Sequence, residues 1–201
     1  MPSDDRRLQA ANPTGWFEDL YAEAEAGTAS VPWDLPRPQQ HLVEWAHEAP
    51  DGPGRSALVV GCGYGRDSEF LASLGYDVTA FDVSPTAIAA VQARYPDSKV
   101  SYVVADLLDP PASWHRAFDL VVENMTVQAL PVSAHASAIE SVASLVGSTL
   151  LVLAVARDEG PEPDGPPWPL TPSEILAFET GGLSARRVVR DESRWLAEFG
   201  R

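Results

Sequence analysis

The strongest constraint in this chain is an apolar run that breaks into three alternating glycines, enters a charged helix-like stretch, and resumes as a second apolar run ending on a single acid. It reads LVVGCGYGRDSEFLASLGYDVTAFDVS, residues 58–84. Glycine tolerates positive φ and lets a ligand approach the main chain, so Gly61, Gly63 and Gly65 predict a tight turn directly after a first strand. Asp82 follows 21 positions beyond Gly61. A carboxylate at the end of a second strand is placed to accept both ribose hydroxyls of a nucleoside lying across adjacent strand ends. The dinucleotide fingerprint Gly-x-Gly-x-x-Gly would need its third glycine at position 66, which is Arg66. The spacing here is Gly-x-Gly-x-Gly. It suits a nucleoside cofactor that lacks a pyrophosphate and whose polar tail is an amino acid.

Around this segment, short β-rich runs alternate with alanine-rich helical stretches. Strands are expected at 56–61, 77–82, 99–106, 118–124 and 148–156, and helices at 66–75, 84–95 and 131–146. Ser84 is the N-cap of the second of these helices and Pro85 its first residue. Continuously apolar strands separated by helices imply a parallel sheet covered on both faces. The fold class is therefore α/β, a doubly wound Rossmann-like sheet. A Pro/Gly-rich loop at 157–170 precedes a helix at 171–180 and two strand-like runs, LSARRVVRD and SRWLAEFGR. Two helical candidates, 15–26 and 36–48, come before the sheet. Residues 1–50 read as a helical extension or lid and 51–201 as the cofactor-binding domain, the two forming one compact unit.

With 29 acidic against 14 basic residues, the chain carries a formal charge of −15. Such a surface repels phosphate backbones and anionic lipid, so neither nucleic acid nor membrane is expected as a partner. The single cysteine, Cys62, forbids an internal disulfide and fits a reducing compartment. The first fifteen residues contain no apolar core of a signal peptide, and LLVLAVA (150–156) falls far short of the ~20 residues that span a bilayer. A cytoplasmic location follows, as monomer or homodimer.

Residues 58–84 resemble motifs I and II of the class I S-adenosylmethionine-dependent methyltransferases, and the order of elements is similar to that family's seven-stranded, mostly parallel sheet. The resemblance implies S-adenosyl-L-methionine as cofactor. Gly61, Cys62, Gly63 and Gly65 would line its methionine portion, Asp82 would bind the ribose, and Val83, with Ser84 beside it, would flank the adenine. In VVADLLD, Asp106 would meet the adenine amino group, with Leu107 packing alongside. FDLVVENMTVQALP is similar to motif IV and would set Glu123 and Asn124 facing the transferable methyl group. The last two strand-like runs would supply the antiparallel end of the sheet. VPWDLPRPQQHLVEW and DGPPWPLTPSEI further resemble the thiopurine, thiol and thiocyanate/halide methyltransferase group. Where some members carry Asp-Arg after the fourth strand, this chain has Glu123-Asn124, which removes a positive charge.

Methyl transfer from a sulfonium is an in-line displacement, so the protein mainly aligns the partners and excludes water. Thiols ionise near pH ~8.5 and need little help, whereas amines and hydroxyls demand a stronger base. The chain lacks the Asn/Asp-Pro-Pro-aromatic motif of amino-group methylators, which favours S-, O- or small-molecule N-methylation. Trp16, Phe17, Tyr21 and Trp33 are either a lid whose ring faces attract the sulfonium or core anchors of the extension. Asp34 is a base or cofactor-tail contact, or else a helix cap. Gln128 and Trp168 are placed to border the acceptor pocket, Trp168 alternatively stapling its own loop. His41 and His47 read as structural or solvated residues, His135 as a surface residue or else a general base reaching the site, Cys62 as a small packing residue rather than a nucleophile, and no cluster has metal-ligand spacing. The leading expectation is an enzyme that methylates a small molecule. The alternatives are a non-catalytic S-adenosylmethionine-binding protein and a nicotinamide-dependent oxidoreductase.

Overall fold

The computed structural model describes residues 12–49 and 52–201. Two helices come first, α1 (Gly15–Glu25) and α2 (Gln40–Ala46). They are followed by β1 (Ser56–Val60), α3 (Arg66–Ser73), β2 (Asp77–Asp82), α4 (Pro85–Arg94), β3 (Ser101–Val104), β4 (Phe118–Asn124), α5 (Val132–Leu145) and β5 (Val146–Val155). The chain closes with α6 (Pro172–Leu176), β6 (Ser184–Asp191) and β7 (Arg194–Gly200). The sheet order is β3-β2-β1-β4-β5-β7-β6. Strands β1 to β5 run parallel, while β7 pairs antiparallel with both β5 and β6. The seven-stranded, doubly wound sheet expected from the sequence is the sheet observed.

Side chains along a strand alternate between faces, and β1 shows how this divides the core. Leu58 and Val60 pack with Val121, Ile139, Val142 and Phe199 beneath α5 and α6. Ala57 and Val59 pack with Leu42, Trp45, Leu71 and Val122 beneath α2 and α3. The central strands are buried on both sides, which is why they read as unbroken apolar runs. Strand β6 is the exception: all eight residues are exposed, and it forms one of the two open edges of the sheet.

Several elements are shorter than the sequence suggests. Helix α2 begins at Gln40 rather than at 36, because Pro36 and Pro38 offer no N–H and hold their neighbours extended. Gln39 caps it by accepting from the His41 amide. Helix α6 opens with a capping box in which Thr171 and Glu174 satisfy each other's amides, yet it ends at Leu176, ahead of the Gly181-Gly182 turn. Strand β3 covers only Ser101–Val104, on the outer edge next to β2.

The extension is fastened at one point the sequence did not disclose. Glu18 on α1 reaches the start of α4, where its carboxylate accepts from Ser84 Oγ at 2.5 Å, Thr86 Oγ1 at 2.6 Å and Thr86 N at 3.2 Å. An anion at a helix N-terminus is favoured by the unpaired amides there. These hydrogen bonds, led by that from Ser84, hold the Glu18 carboxyl below its ordinary range. No helix among the described residues is long and apolar enough to cross a membrane.

Candidate functional site

In an open α/β sheet, the crevice lies at the carboxyl ends of the strands, where the chain turns to opposite sides of neighbouring strands. Here β1 lies between β2 and β4, and a cavity of about 1140 Å³ opens at that point. Single-ligand pockets are typically ~300–1,000 Å³, so there is room for a cofactor and an acceptor together. Gly61, Asp82, Leu107 and Asn124 face the cavity from the strand ends, and Trp16, Tyr21 and Trp33 from the extension.

The glycine loop is required by contacts as well as by dihedrals. Gly63 has φ +49, and a Cβ there would lie 2.8 Å from the Tyr21 hydroxyl. Gly65 has φ +80 and would press into Tyr102 Oη and Val91 Cγ2, both at 2.5 Å. Asp82 accepts from Gly63 N and from Ser84 N, each at 3.0 Å. Burial pushes its carboxyl up, against the pull of the Ser84, Gly63 and Val83 amides. A carboxylate has about four lone-pair sites, so acceptor capacity remains beside these amides for an incoming hydroxyl. Val83 and Leu107 line the cavity beside it with apolar surface. These groups fit an adenosyl cofactor.

Over the loop stands an aromatic cluster. Trp33 donates its indole N–H to Tyr21 Oη at 2.8 Å, while its ring stands 39% exposed. Trp16 and Tyr21 meet Trp33 edge-on, with ring centroids 6.0 and 6.2 Å away, and Tyr21 meets Tyr64 at 5.3 Å. Tyr21 is buried as a core anchor and also borders the cavity, so the two readings open at that position are compatible. Burial pushes its hydroxyl far up, and it stays neutral.

Other expected site residues are placed differently. Glu123 is wholly buried and does not line the cavity. Its Oε1 accepts from Thr126 N at 2.7 Å and Val127 N at 2.9 Å, and Oε2 has no partner. The expectation that it faces the methyl group is thus corrected: two turn amides after β4 draw its side chain inward. Burial raises the Glu123 carboxyl to about 7, against those amides and the charge of His135. His135, expected at the surface, is buried. Its Nδ1 meets Glu174 Oε1 at 2.6 Å and its Nε2 meets Leu130 O at 2.9 Å. Both ring nitrogens are thus engaged inside the core, away from the cavity.

Asp34 is neither a helix cap nor a free base. Its two oxygens accept from Arg94 Nη1 at 2.9 Å and Nη2 at 3.2 Å, with Arg66 3.8 Å away. Ser84 is spent on capping α4 and on Glu18, and does not line the cavity. Asp106 accepts from Leu108 N within its own turn and also stays off the lining. Trp168 is buried against Gly165 as a loop staple, leaving Pro166 and Pro167 as the wall that this loop presents. Cys62 borders the cavity, but burial pushes its thiol well up.

Asn124 and Gln128 both line the cavity. Asn124 Nδ2 donates to Asp67 Oδ2 at 2.7 Å, leaving Oδ1 buried without a partner. Asp67, which sequence reasoning missed, lies at the first turn of α3 and also accepts from Gln39 N at 2.8 Å, tying the extension to the glycine loop. Its signal was its place two residues after Gly65. Gln128 Oε1 accepts from Val155 N at 2.6 Å, and its carbonyl accepts from Trp168 N. Among the described residues no group of His, Cys, Asp and Glu is arranged to hold a metal.

Residues 57–148 match the family of methyltransferase domains. The chain is 30% identical to a probable thiol methyltransferase of Arabidopsis thaliana, over 97% of its own length and 87% of the relative's. Among solved structures it is similar to a protein of echinomycin biosynthesis that converts a disulfide bond into a thioacetal group (TM-score 0.73, 22% identity, 92% and 93% of the two chains). It is also similar to magnesium protoporphyrin IX methyltransferase from Synechocystis PCC 6803 (TM-score 0.68, 18% identity, 100% and 98% of the two chains).

Proposed function

Because this chain belongs to the class I S-adenosylmethionine-dependent methyltransferases, we propose that it methylates the sulfur of a small thiol or a similarly soft nucleophile. The carrying observation is the state of the cavity's acids, Asp34, Asp67 and Asp82, each of which already accepts hydrogen bonds from this chain. Asp34 is held bidentately by Arg94, and both Asp67 oxygens accept hydrogen bonds. Cys62 is a neutral thiol, while Glu123 and His135 are turned into the core. An amine or alcohol arrives protonated, and the imidazole on the cavity wall that would have to take its proton, His41, already meets Glu44 Oε2 through Nδ1 at 3.1 Å. A thiol, ionising near pH ~8.5 or lower, brings a useful fraction of its own nucleophile. The thiol methyltransferase relative supports the same reading.

The cofactor supplies a methyl group already activated on a sulfonium. The residues proposed to hold it are the Gly61–Gly65 loop and Asn124 at its tail, Asp82 at the ribose, and Val83 and Leu107 against the base. Trp16, Tyr21 and Trp33 would present ring faces to the positive sulfur and keep water out. Alignment of this kind is worth roughly 7–11 kcal/mol of barrier, which suits a site built from positioning groups.

The test is label transfer from the cofactor to thiols, sulfide, halides, phenols and amines, with kcat/KM measured against pH for a series of thiols. The expected result is labelled thiols whose rates follow each thiol's own ionisation. Labelled phenols or amines with thiols blank would overturn the sulfur reading. A limb common to all thiols, independent of their ionisation, would reveal a protein base.

A further inference from the structure

We propose that Arg194 is the recognition cation for an acidic substituent on the acceptor, so that the preferred acceptor is an apolar thiol bearing a carboxylate; this rests on the sulfur-methylation reading for the reacting atom only. Arg194 opens β7, and because β7 runs antiparallel to β5, its first residue pairs with Val155 at the carboxyl end of β5. A strand directed the opposite way thus delivers its first side chain to the same rim as the glycine loop and Asn124. Arg194 lines the cavity there.

Its guanidinium differs from five other arginines of the chain. Arg94 and Arg66 are committed to Asp34, Arg187 to Glu48, Arg190 to Asp158 and Arg157 to Glu174. Among the described residues, Arg194 has no carboxylate within ion-pair distance, and its one polar contact is Nη1 to the Met125 sulfur at 3.6 Å. Acids outnumber basic residues 29 to 14 in this chain, so leaving a cavity arginine without one is informative. Met125 itself holds φ +61, an uncommon conformation for a non-glycine residue, at the end of β4. Arg37 also borders the cavity and likewise has no acid partner among the described residues, but it stands on the proline-rich loop, whereas Arg194 is fixed to the sheet.

The surroundings define the remainder of the ligand. Gln128 accepts from the amide of Val155, the residue paired with Arg194, and its carboxamide N–H2 has no partner among the described residues. A planar guanidinium and an amide donor at one strand end match a carboxylate, which guanidinium binds in bidentate fashion. The cavity's other walls include Leu35, Pro36, Val43, Pro166 and Pro167. They suit an aromatic or alkyl body better than a bare inorganic anion.

The experiment compares 4-mercaptobenzoate with neutral 4-methylbenzenethiol, at a pH where both thiols are ionised, in the wild type, Arg194→Gln and Arg194→Lys. The readouts are kcat/KM and calorimetric binding to the protein–S-adenosylhomocysteine complex, with circular dichroism as the check on folding. The wild type is expected to prefer the carboxylated thiol. Arg194→Gln should lower that preference roughly ten- to a hundredfold, the range for one charged hydrogen-bonding group, and Arg194→Lys should restore part of it. Equal use and equal binding of the two thiols by the wild type, or an unchanged ratio in Arg194→Gln, would overturn the proposal. If neither thiol is methylated but the binding preference persists and depends on Arg194, the sulfur reading fails and the recognition role stands.

Discussion

Glu123→Gln tests the electrostatics beneath the site. The wild-type carboxylate is wholly buried, Oε1 accepts two amides and Oε2 meets nothing, which raises its pKa from 4.5 to about 7. An acid whose folded pKa lies above its unfolded one binds a proton more tightly when folded. Its contribution therefore favours folding at low pH and is lost as pH rises from about 4.5 to about 7, levelling off above that. At 1.36 kcal/mol per pKa unit, the full loss is about 3 kcal/mol. Glutamine keeps an acceptor for Thr126 and Val127 but carries no charge at any pH. Its fixed cost of burying an N–H2 group cancels when the variant is compared with the wild type across pH. The difference in Tm between variant and wild type should thus shift in the variant's favour by roughly 5–10 °C from about pH 5 to about pH 8, at ~2–4 °C per kcal/mol for a chain of this length. Thermal unfolding followed by circular dichroism measures this. A difference that stays constant across that range would refute the assignment of a buried, titrating carboxyl to position 123.

Asp82→Ala should weaken binding of S-adenosylhomocysteine by about 1.5–3 kcal/mol, or roughly ten- to a hundredfold in Kd by calorimetry; wild-type affinity would remove the acid from the cofactor site. Trp33→Ala, which deletes the donor to Tyr21 and the exposed ring over the glycine loop, should lower kcat by roughly tenfold, about 1.4 kcal/mol at the top of the range for one aromatic contact, through a leakier site. Unchanged kcat and KM would return Trp33 to a purely structural role.

What was readable in the sequence was mostly local. β2 and β4 are found at the expected residues 77–82 and 118–124, because apolar runs bounded by a turn leave little choice of register. The glycine loop and Asp82 were readable for the same reason, since turn chemistry and strand ends lie within one short segment. What escaped depends on partners far apart in the chain. Glu18 caps a helix 66 positions away, and His135 is engaged by Glu174, which lies 39 positions on, beyond β5. Glu123 looked catalytic by its place at a strand end, but where its side chain turned was decided by amides three and four residues later. Arg194 was hidden by topology: only the antiparallel course of β7 makes the beginning of a strand coincide with the ends of its neighbours.

The outer edge of β6, which no further strand covers, also has a bearing on how the molecule tolerates crowding. Bare main-chain donors and acceptors along β6 could template pairing with another copy. Val188 and Val189 on it are each 38% exposed, which would add adhesive surface. An antiparallel union centred on these valines brings Arg187 opposite Arg190 of the second molecule, setting like charges face to face. The rim thereby discourages self-stacking.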